Sequence, residues 1–235
     1  MRITWGIALV ACVAFLSRAA ADDDFKAEDG YTNLFNGKDL TGWRYYKEKL
    51  DGKTETADKR FTVEKGIIVA NEGKGIKDLF TVQDYPKDFH LKLEFRASLK
   101  SDSGVYIRSS GDQLQVRDYI RRNERKQLKK FKNDDWNELD ITVKGGKVTT
   151  SVNGKGLTAK DVLELTVKDG KPAAVLNGSP VEVSSIQVSV QSVAKCLCNG
   201  EFLEDMPVKQ KTGGIGLQAE TGKFEFRKIR VKELP

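Results

Sequence analysis

Residues Glu94–Asp118 read EFRASLKSDSGVYIRSSGDQLQVRD, and this stretch decides the fold because three short segments within it alternate between apolar and polar residues. Alternation with a period of two is typical of β-strands, in which successive side chains point to opposite faces. It places one set of residues on an inward face: Phe95, Val105, Ile107, Leu114 and Val116. The other set lies on an outward face: Glu94, Arg96, Tyr106, Arg108, Gln113, Gln115 and Arg117.

The same alternation continues outside this stretch, most clearly over Phe89–Ala97, whereas helix signals are nearly absent. Pairs that contain glycine predict turns at Lys65-Gly66, Gly145-Gly146, Asn153-Gly154 and Asn177-Gly178. The exception is Tyr119–Phe131, whose charged centre predicts either a helical turn or an ordered loop. Many short strands with glycine turns predict an all-β fold, a two-sheet antiparallel jelly-roll sandwich.

The composition indicates one globular domain, because the chain has 235 residues, of which 39% are hydrophobic and 31% charged. Residues 1–21 have the features of a secretory signal peptide. Arg2 supplies a positive start, Ile7–Leu16 is an apolar run too short to span a bilayer, and Ala19–Ala21 precede an acidic stretch. We therefore predict export to the periplasm or the extracellular space, with a mature domain over 22–235.

An alternative is a lipoprotein, because Leu9–Cys12 resembles a lipidation box. The apolar run continues past Cys12, so we expect neither a lipid anchor nor a transmembrane segment in the mature chain. Removal of the leader takes away Arg2 and Arg18, which leaves 38 basic against 34 acidic residues and a net charge of +4.

This modest charge bears on a basic stretch after Tyr119, whose members are Arg121, Arg122, Arg125, Lys126, Lys129, Lys130 and Lys132. A nucleic-acid site needs aromatic residues beside the charge and a strongly basic domain, whereas Asp134-Asp135 follow here directly. We therefore predict no nucleic-acid partner. A solvated loop is the first interpretation, and a rim that attracts an acidic glycan or an anionic surface is the second.

The pair Cys196 and Cys198 is separated by one residue, and a bridge that short would be strained. Two thiols with one neighbouring asparagine do not make a metal site. The pair predicts either a local structural bridge or two free thiols. The sequence identifies no cofactor, and a divalent metal stays open.

The outward residues of the opening stretch suit a sugar if their strands are neighbours. Carboxylates, amides and guanidinium groups form paired hydrogen bonds with vicinal hydroxyls, and a phenol adds a flat face with a polar tip. The same residues also suit an ordinary solvated face of an antiparallel sheet, and periodicity alone leaves both interpretations open.

Several motifs together resemble the 3-keto-disaccharide hydrolase domain family, from about Tyr31 to Leu234. They are LFNGKDLTGW at Leu34–Trp43, DFHLKLEFR at Asp88–Arg96, SGVYIR at Ser103–Arg108, Trp136-Asn137, IGLQ at Ile215–Gln218 and FRKI at Phe226–Ile229. The resemblance implies a concanavalin A-like jelly roll in an exported protein with a carbohydrate substrate. It also implies cleavage of glycosides whose sugar carries a ketone at C3.

That reaction requires a base near C2, a positive group or metal for the enolate oxygen, and a proton donor for the leaving oxygen. From the resemblance we assign Glu94 as the base and Arg96 with Arg108 as the enolate-binding groups. Asp118, Tyr106 and His90 are the candidate proton donors. The predicted catalytic residues are thus Glu94, Arg96, Arg108 and Asp118, and the predicted substrate-binding residues are His90, Tyr106, Gln113, Gln115, Trp136, Asn137 and Gln218.

The chain departs from the family at two places. The family usually has Glu-x-Gln where this chain has Gln113-Leu-Gln115, and an amide cannot act as a base. A non-catalytic carbohydrate-binding module is therefore the alternative function. The second departure is a predicted insertion around 155–212, which contains the two cysteines and is long enough to form a lid over the site.

We expect export to remove the leader after Ala21, because small residues there fit the specificity of signal peptidase. N-terminal sequencing of the protein from the culture medium or the periplasm should begin at Asp22. Retention of Arg2 at the N-terminus of the purified protein would contradict this prediction, and a lipid-modified Cys12 would favour the lipoprotein alternative.

Overall fold

A computed structural model describes residues 25–109, 111–119, 128–158, 160–168 and 171–235. These residues form eighteen β-strands arranged in three antiparallel sheets. The predicted signal peptide, the box around Cys12 and most of the charged stretch 121–131 lie outside the described residues. Within the described part of the chain, no helix is long and apolar enough to cross a membrane.

Sheet A is the largest sheet. Its main path, in spatial order, is β16 (Glu201–Val208), β15 (Ile186–Cys198), β10 (Asn137–Val152), β7 (Phe89–Ala97), β18 (Phe224–Glu233), β5 (Ile67–Ala70) and β4 (Phe61–Glu64). Two short strands pair outside this path, β1 (Thr32–Asn33) with β18 and β11 (Lys155–Gly156) with β10.

Sheet B packs against sheet A and completes the sandwich. Its strands, in spatial order, are β3 (Glu48–Lys49), β2 (Trp43–Tyr45), β6 (Lys77–Thr81), β17 (Gly216–Ala219), β8 (Asp102–Tyr106) and β9 (Gln113–Arg117). The predicted all-β jelly-roll sandwich is therefore confirmed. Sheet C is a separate three-stranded sheet of β12 (Leu163–Lys168), β13 (Lys171–Leu176) and β14 (Ser179–Val181).

Alternating side chains of the two large sheets fill one core. β7 shows the pattern most clearly, since Phe89, Leu91, Leu93 and Phe95 are fully buried while the residues between them are half-buried. The predicted inward residues of β8 and β9 are buried in the same apolar cluster. Each fully buried aliphatic or aromatic side chain stabilises such a core by about 1.5–3 kcal/mol relative to its exposed state.

The predicted turns have two different outcomes. Lys65-Gly66, Asn153-Gly154 and Asn177-Gly178 connect paired strands with positive φ at both positions, as tight hairpin turns require. The turn predicted at Gly145-Gly146 is wrong. The backbone continues there as one strand, and the pairing of β10 with β15 shifts register between Lys144 and Lys147. Two adjacent glycines suit a β-bulge as well as a turn.

The residues predicted as an insertion contain two kinds of structure. β15 and β16 extend sheet A beyond β10, and there Cys196 and Cys198 are both buried and are not joined by a disulfide bond. Burial raises the pKa of the Cys198 thiol to about 12. The remainder extends past the bulge together with the end of β10, which no longer pairs with β7 there. We call this projecting part the arm: residues 147–152 of β10, which precede the predicted insertion, residues 186–191 of β15, and sheet C.

Candidate functional site

Most of the predicted site residues lie on two opposite outer faces of the sandwich. β7 has β10 and β18 as neighbours in sheet A, whereas β8 and β9 belong to sheet B. The condition that these strands are neighbours therefore holds for β8 and β9 but not for β7. Each strand buries its inward side against the common core, so the outward sides of the two sheets point away from each other.

The outer face of sheet A is a network of ion pairs. Glu94 accepts hydrogen bonds from Arg227 Nε at 2.7 Å and Lys228 Nζ at 3.1 Å, and Arg96 is paired with Glu225. The Trp136 ring lies against two guanidinium groups, 3.9 Å from that of Arg227 and 5.0 Å from that of Arg96. Glu94 and Arg96 thus have partners on β18, and Trp136 packs against Arg96 and Arg227.

His90 lies on the same face and is held from both sides. Its Nδ1 is 2.6 Å from the Tyr31 hydroxyl, and its Nε2 is 2.6 Å from Asp140 Oδ1. Lys92 Nζ is 3.7 Å from the other oxygen of Asp140. These contacts tie the segment before β1 to the face of sheet A and occupy both nitrogens of the imidazole.

Arg108 was predicted to point outward, and the structure corrects this: its side chain is buried at one end of the sandwich, and the residue is 2% exposed. Nε donates to the carbonyl oxygen of Tyr85 at 2.8 Å, and Nη2 donates to that of Lys87 at 2.6 Å. Nη1 reaches Gln210 O at 3.3 Å. A planar guanidinium satisfies several carbonyl groups at once, so Arg108 joins three chain segments.

Asp118 and Asn137 also have structural partners. Asp118 is almost fully buried, and its Oδ2 accepts a hydrogen bond of 3.0 Å from the Lys100 amide. Asn137 is fully buried and donates to the carbonyl oxygens of Lys132 at 2.8 Å and Asp135 at 2.9 Å. The two side chains organise loops at the ends of β9 and β10.

The other four predicted residues, Tyr106, Gln113, Gln115 and Gln218, lie together on the outer face of sheet B. β17, β8 and β9 are adjacent there, so Gln218, Tyr106 and Gln113 reach one another. β6 lies on the other side of β17 and adds Asp78, which pairs with Gln218 in register. The sequence reasoning did not include this carboxylate.

A directed chain of hydrogen bonds connects these side chains, and we call it the Asp78 relay. Gln113 Nε2 donates to Gln218 Oε1 at 2.8 Å, and Gln218 Nε2 donates to the Tyr106 hydroxyl at 2.6 Å. The Tyr106 hydroxyl donates to Asp78 Oδ1 at 2.9 Å. Every donor in the relay thus points toward the carboxylate.

Two glycines in the middle of sheet B make the relay possible. A Cβ atom at Gly104 would lie 2.1 Å from Gln113 Nε2, so the Gln113 side chain lies directly over this glycine. A Cβ atom at Gly216 would lie 2.6 Å from the Phe80 ring and 2.9 Å from the Tyr106 ring. Phe80 and Tyr106 therefore stack across Gly216, with ring centroids 5.2 Å apart.

The electrostatics of this face favour protonated groups. Burial raises the pKa of Asp78, and the hydrogen bond from Tyr106 opposes this increase only in part. Burial and the nearby Asp78 also raise the pKa of the Tyr106 hydroxyl, so this phenol keeps its proton. The pKa of Glu220, the residue directly after β17, is raised by burial and by the charge of Asp102.

Positive groups lie on both sides of the relay. Arg44 on β2 places its guanidinium 5.2 Å from the centre of the Phe80 ring. Arg117 on β9 is hydrogen-bonded to Gln115 and lies 3.1 Å from Asp102 Oδ1. Chemically, this face offers a carboxylate with a raised pKa, a protonated phenol and two amides, a set that can bind hydroxyl groups and transfer a proton. Among the described residues, no group of three or more His, Cys, Asp or Glu side chains is placed to hold a metal ion.

The sequence profile of the 3-keto-alpha-glucoside-1,2-lyase-like domain matches residues 30–232. The chain belongs to this family. The match covers nearly all of the described chain and confirms the resemblance inferred from the motifs. Membership of this family indicates a glycosyl hydrolase-like or carbohydrate-binding β-sandwich. A search among curated proteins finds no match.

Several solved structures are similar to the lyase-like domain. Two are glycosyl hydrolase candidates from Parabacteroides distasonis ATCC 8503. The first is 20% identical, with a TM-score of 0.46, and the alignment covers 88% of this chain and 94% of that one. The second is 16% identical, with a TM-score of 0.47 and coverage of 87% and 99%. A carbohydrate-binding module from Bacillus subtilis is 12% identical, with a TM-score of 0.35 and coverage of 83% and 97%.

Sequence reasoning missed Asp78, Phe80 and Glu220 on the outer face of the lyase-like domain. The signal for the first two is short: Lys77–Thr81 reads KDLFT, and its alternation places Asp78 and Phe80 opposite the buried Leu79. Glu220 follows the outward Gln218 at the period of a strand. Both segments are too short to stand out by periodicity alone.

We expect Arg108→Lys to lower the free energy of unfolding of the lyase-like domain by about 2–4 kcal/mol, because one ammonium cannot replace a guanidinium that serves several buried carbonyl groups. Urea denaturation followed by circular dichroism measures the difference. Arg44→Lys on the outer face of sheet B is the control and should change stability by about 0.5 kcal/mol or less. Equal stability of the Arg108 variant and the wild type would contradict a structural role.

Proposed function

We propose that the lyase-like domain cleaves 3-keto-glycosides and that its active site is the outer face of sheet B, with Asp78 as the base. The observation that carries this proposal is the Asp78 relay, in which a half-buried carboxylate with a raised pKa accepts a hydrogen bond from a buried phenol. A base with a pKa closer to neutrality removes a carbon-bound proton more effectively than an ordinary aspartate. Glu94 faces the other side of the sandwich and is paired with two cations.

The reaction begins at C2 of the sugar, whose proton is acidic because C3 is a ketone. Asp78 takes this proton, and the electron pair forms an enolate that spans C2, C3 and the C3 oxygen. The enolate then expels the glycosidic oxygen from C1, and a double bond forms between C1 and C2. Water adds to this double bond, with its oxygen at C1 and a proton at C2, and gives the free 3-keto sugar.

The relay supplies the proton that the leaving oxygen needs. When Asp78 has taken the C2 proton, it no longer requires the hydrogen bond from Tyr106, and the phenol can donate its proton to the departing oxygen. Asp78 returns a proton to the phenol through the same 2.9 Å contact. The aglycone thus leaves with the proton of Tyr106, and the proton from C2 replaces it on the phenol. The second N–H of the Gln113 amide is free of the relay contact and is our candidate donor to the enolate oxygen.

We expect Asp78→Asn to reduce kcat for a 3-keto-glucoside at least 100-fold, because an amide cannot accept the C2 proton. Glu94→Gln on the opposite face is the matched control, and its activity should remain within about threefold of the wild type. Release of a chromogenic aglycone from a 3-keto-glucoside measures both variants. In the wild type kcat/KM should fall at low pH as Asp78 becomes protonated, at a higher pH than an ordinary aspartate would give.

The control also tests the competing residue assignment. A large loss of activity in Glu94→Gln together with an unaffected Asp78→Asn would move the active site to sheet A. In that case the base predicted from the sequence would be correct and the Asp78 relay would have a structural role only.

The alternative function is a carbohydrate-binding module without catalysis. The observation that favours it is Gln113, an amide where the family usually has a carboxylate. Such a module would bind the sugar in calorimetry but would release no aglycone from any 3-keto-glucoside. Binding in the wild type with no turnover, and no turnover after Gln113→Glu, would favour this alternative over an enzyme.

If the domain is an enzyme, we expect Gln113→Glu to reduce activity rather than raise it. A carboxylate at this position has no proton to donate to Gln218 Oε1. The Gln218 amide must therefore rotate by half a turn, so that its N–H donates to the new carboxylate and its oxygen accepts the hydrogen bond of the Tyr106 hydroxyl. Asp78 would then lose the hydrogen bond that lowers its pKa. The low-pH limb of kcat/KM should shift upward by about one pH unit, the size expected for the loss of one hydrogen bond to a charged group.

The control for this substitution is Gln115→Glu, at the next outward position of β9, where the new carboxylate would face Arg117. Its pH dependence should match that of the wild type. An inactive wild type that becomes active through Gln113→Glu would contradict our assignment of Asp78 as a sufficient base.

We propose further that the enzyme acts outside the cytoplasm, as the leader of residues 1–21 indicates. This proposal concerns the compartment in which the enzyme binds its substrate, and it does not affect the proposed reaction. A lid over the site, formed by the predicted insertion around 155–212, also stays a prediction. It would slow aglycone release without altering the pH dependence set by Asp78.

A further inference from the structure

The arm carries an apolar surface that lies outside the sandwich. Residues 186–191 of β15 pair with residues 147–152 of β10, and we call this pair of segments the ribbon. Ile186, Val188 and Val190 occupy alternate positions of β15, so they share one face of the ribbon. They are 37%, 64% and 69% exposed. The residue between the first two, Gln187, is polar and lies on the opposite face. One face of the ribbon is therefore apolar although it is exposed, and the other face is polar.

Sheet C continues this surface. Leu165 and Val167 share one face of β12 and are 59% and 76% exposed. Together with Val183 and Ile186 they line a groove of about 890 Å³ between sheet C and the start of β15. Since Ile186 also belongs to the ribbon face, the groove and the ribbon form one continuous region. We call it the arm surface: Leu165, Val167, Val183, Ile186, Val188 and Val190.

The size of the arm surface is close to that of a protein interface. From the exposed fractions, its six side chains present on the order of 600 Å² of apolar area, at the upper end of what a monomer usually exposes in one patch. A stable interface buries roughly 800 Å² on each partner. The backbone and polar atoms between these side chains supply the remainder.

The backbone of the arm is also incompletely paired. β15 pairs with β16 from Ser192 onward, and among the described residues its segment 186–191 pairs with β10 alone. One edge of this segment therefore has unpaired N–H and C=O groups next to exposed valines. Proteins normally protect such an edge with charges, bulges or a covering element.

We propose that the arm surface is covered by the arm of a second copy of this chain, which forms a two-fold symmetric dimer. In an antiparallel arrangement about a two-fold axis, segment 186–191 pairs with the same segment of the other copy, because an edge of this kind complements itself. The same contact buries the apolar side chains and pairs the open backbone N–H and C=O groups of the edge. This inference is independent of the reaction proposed for sheet B.

The experiment measures the molar mass of the purified protein by light scattering during gel filtration, from about 1 to 100 µM. We expect the wild type to have the mass of two chains at the higher concentrations. The double variant Val188→Lys with Val190→Lys should have the mass of one chain, because four lysines would meet across the two-fold axis. Its dissociation constant should rise at least 100-fold.

A matched control places the same charges on the same strand. Gln187→Lys with Gln191→Lys adds two lysines to the polar face of the ribbon and should remain a dimer. Circular dichroism confirms that both variants retain the β-sandwich. A wild type that is monomeric at 100 µM, a valine variant that remains dimeric, or two lysine variants that dissociate equally would each overturn the proposal.

Discussion

Every strand of the sandwich must bury one side against a single shared core, and this constraint determines where each polar side chain can lie. β7 satisfies it with Phe89, Leu91, Leu93 and Phe95, and β8 and β9 satisfy it from the opposite sheet. The outward sides of the two sheets are consequently separated by the whole thickness of the core, about 10 Å between sheets plus two layers of side chains. No side chain on one outer face can act together with a side chain on the other.

On the outer face of sheet B, a side chain can lie flat across a neighbouring strand only where that strand leaves space for it. Gly104 and Gly216 provide this space. At Gly104 and Gly216 the absence of a Cβ atom lets the Gln113 amide and the stacked Phe80 and Tyr106 rings lie close to the backbone. Glycine in a strand interior costs stability, so its presence at two central positions needs a local reason. The Asp78 relay gives that reason, because side chains that lie flat can hydrogen-bond across three strands.

The sequence determines much of this fold through local patterns, and little of its strand pairing. The alternation in Phe89–Ala97 and the Asn-Gly hairpins is local, and both were predictable. The assignment of β7 to sheet A depends on partners far along the chain, such as the pairing of Glu94 with Arg227, and a pattern cannot reveal it. Four of the predicted site residues lie together on sheet B, but their carboxylate was missed because β6 is short. The prediction that the Arg108 side chain points outward was wrong because β8 ends two residues earlier, at Tyr106, and the alternation of the strand does not continue to Arg108.

The two outer faces differ in whether their charged groups have partners of opposite charge, and this difference supports a functional role for sheet B. On sheet A, Glu94, Arg96 and Trp136 are arranged so that each charge has an opposite charge or an aromatic ring beside it, the usual solution for a solvated surface. On sheet B, Asp78 is desolvated and receives its hydrogen bond from a neutral phenol, which leaves its pKa raised. Each unit of that increase corresponds to about 1.4 kcal/mol against the ionised form. A surface that served only solubility would have replaced such a carboxylate or paired it with a cation. Groups with perturbed pKa values are concentrated where proton transfer is required.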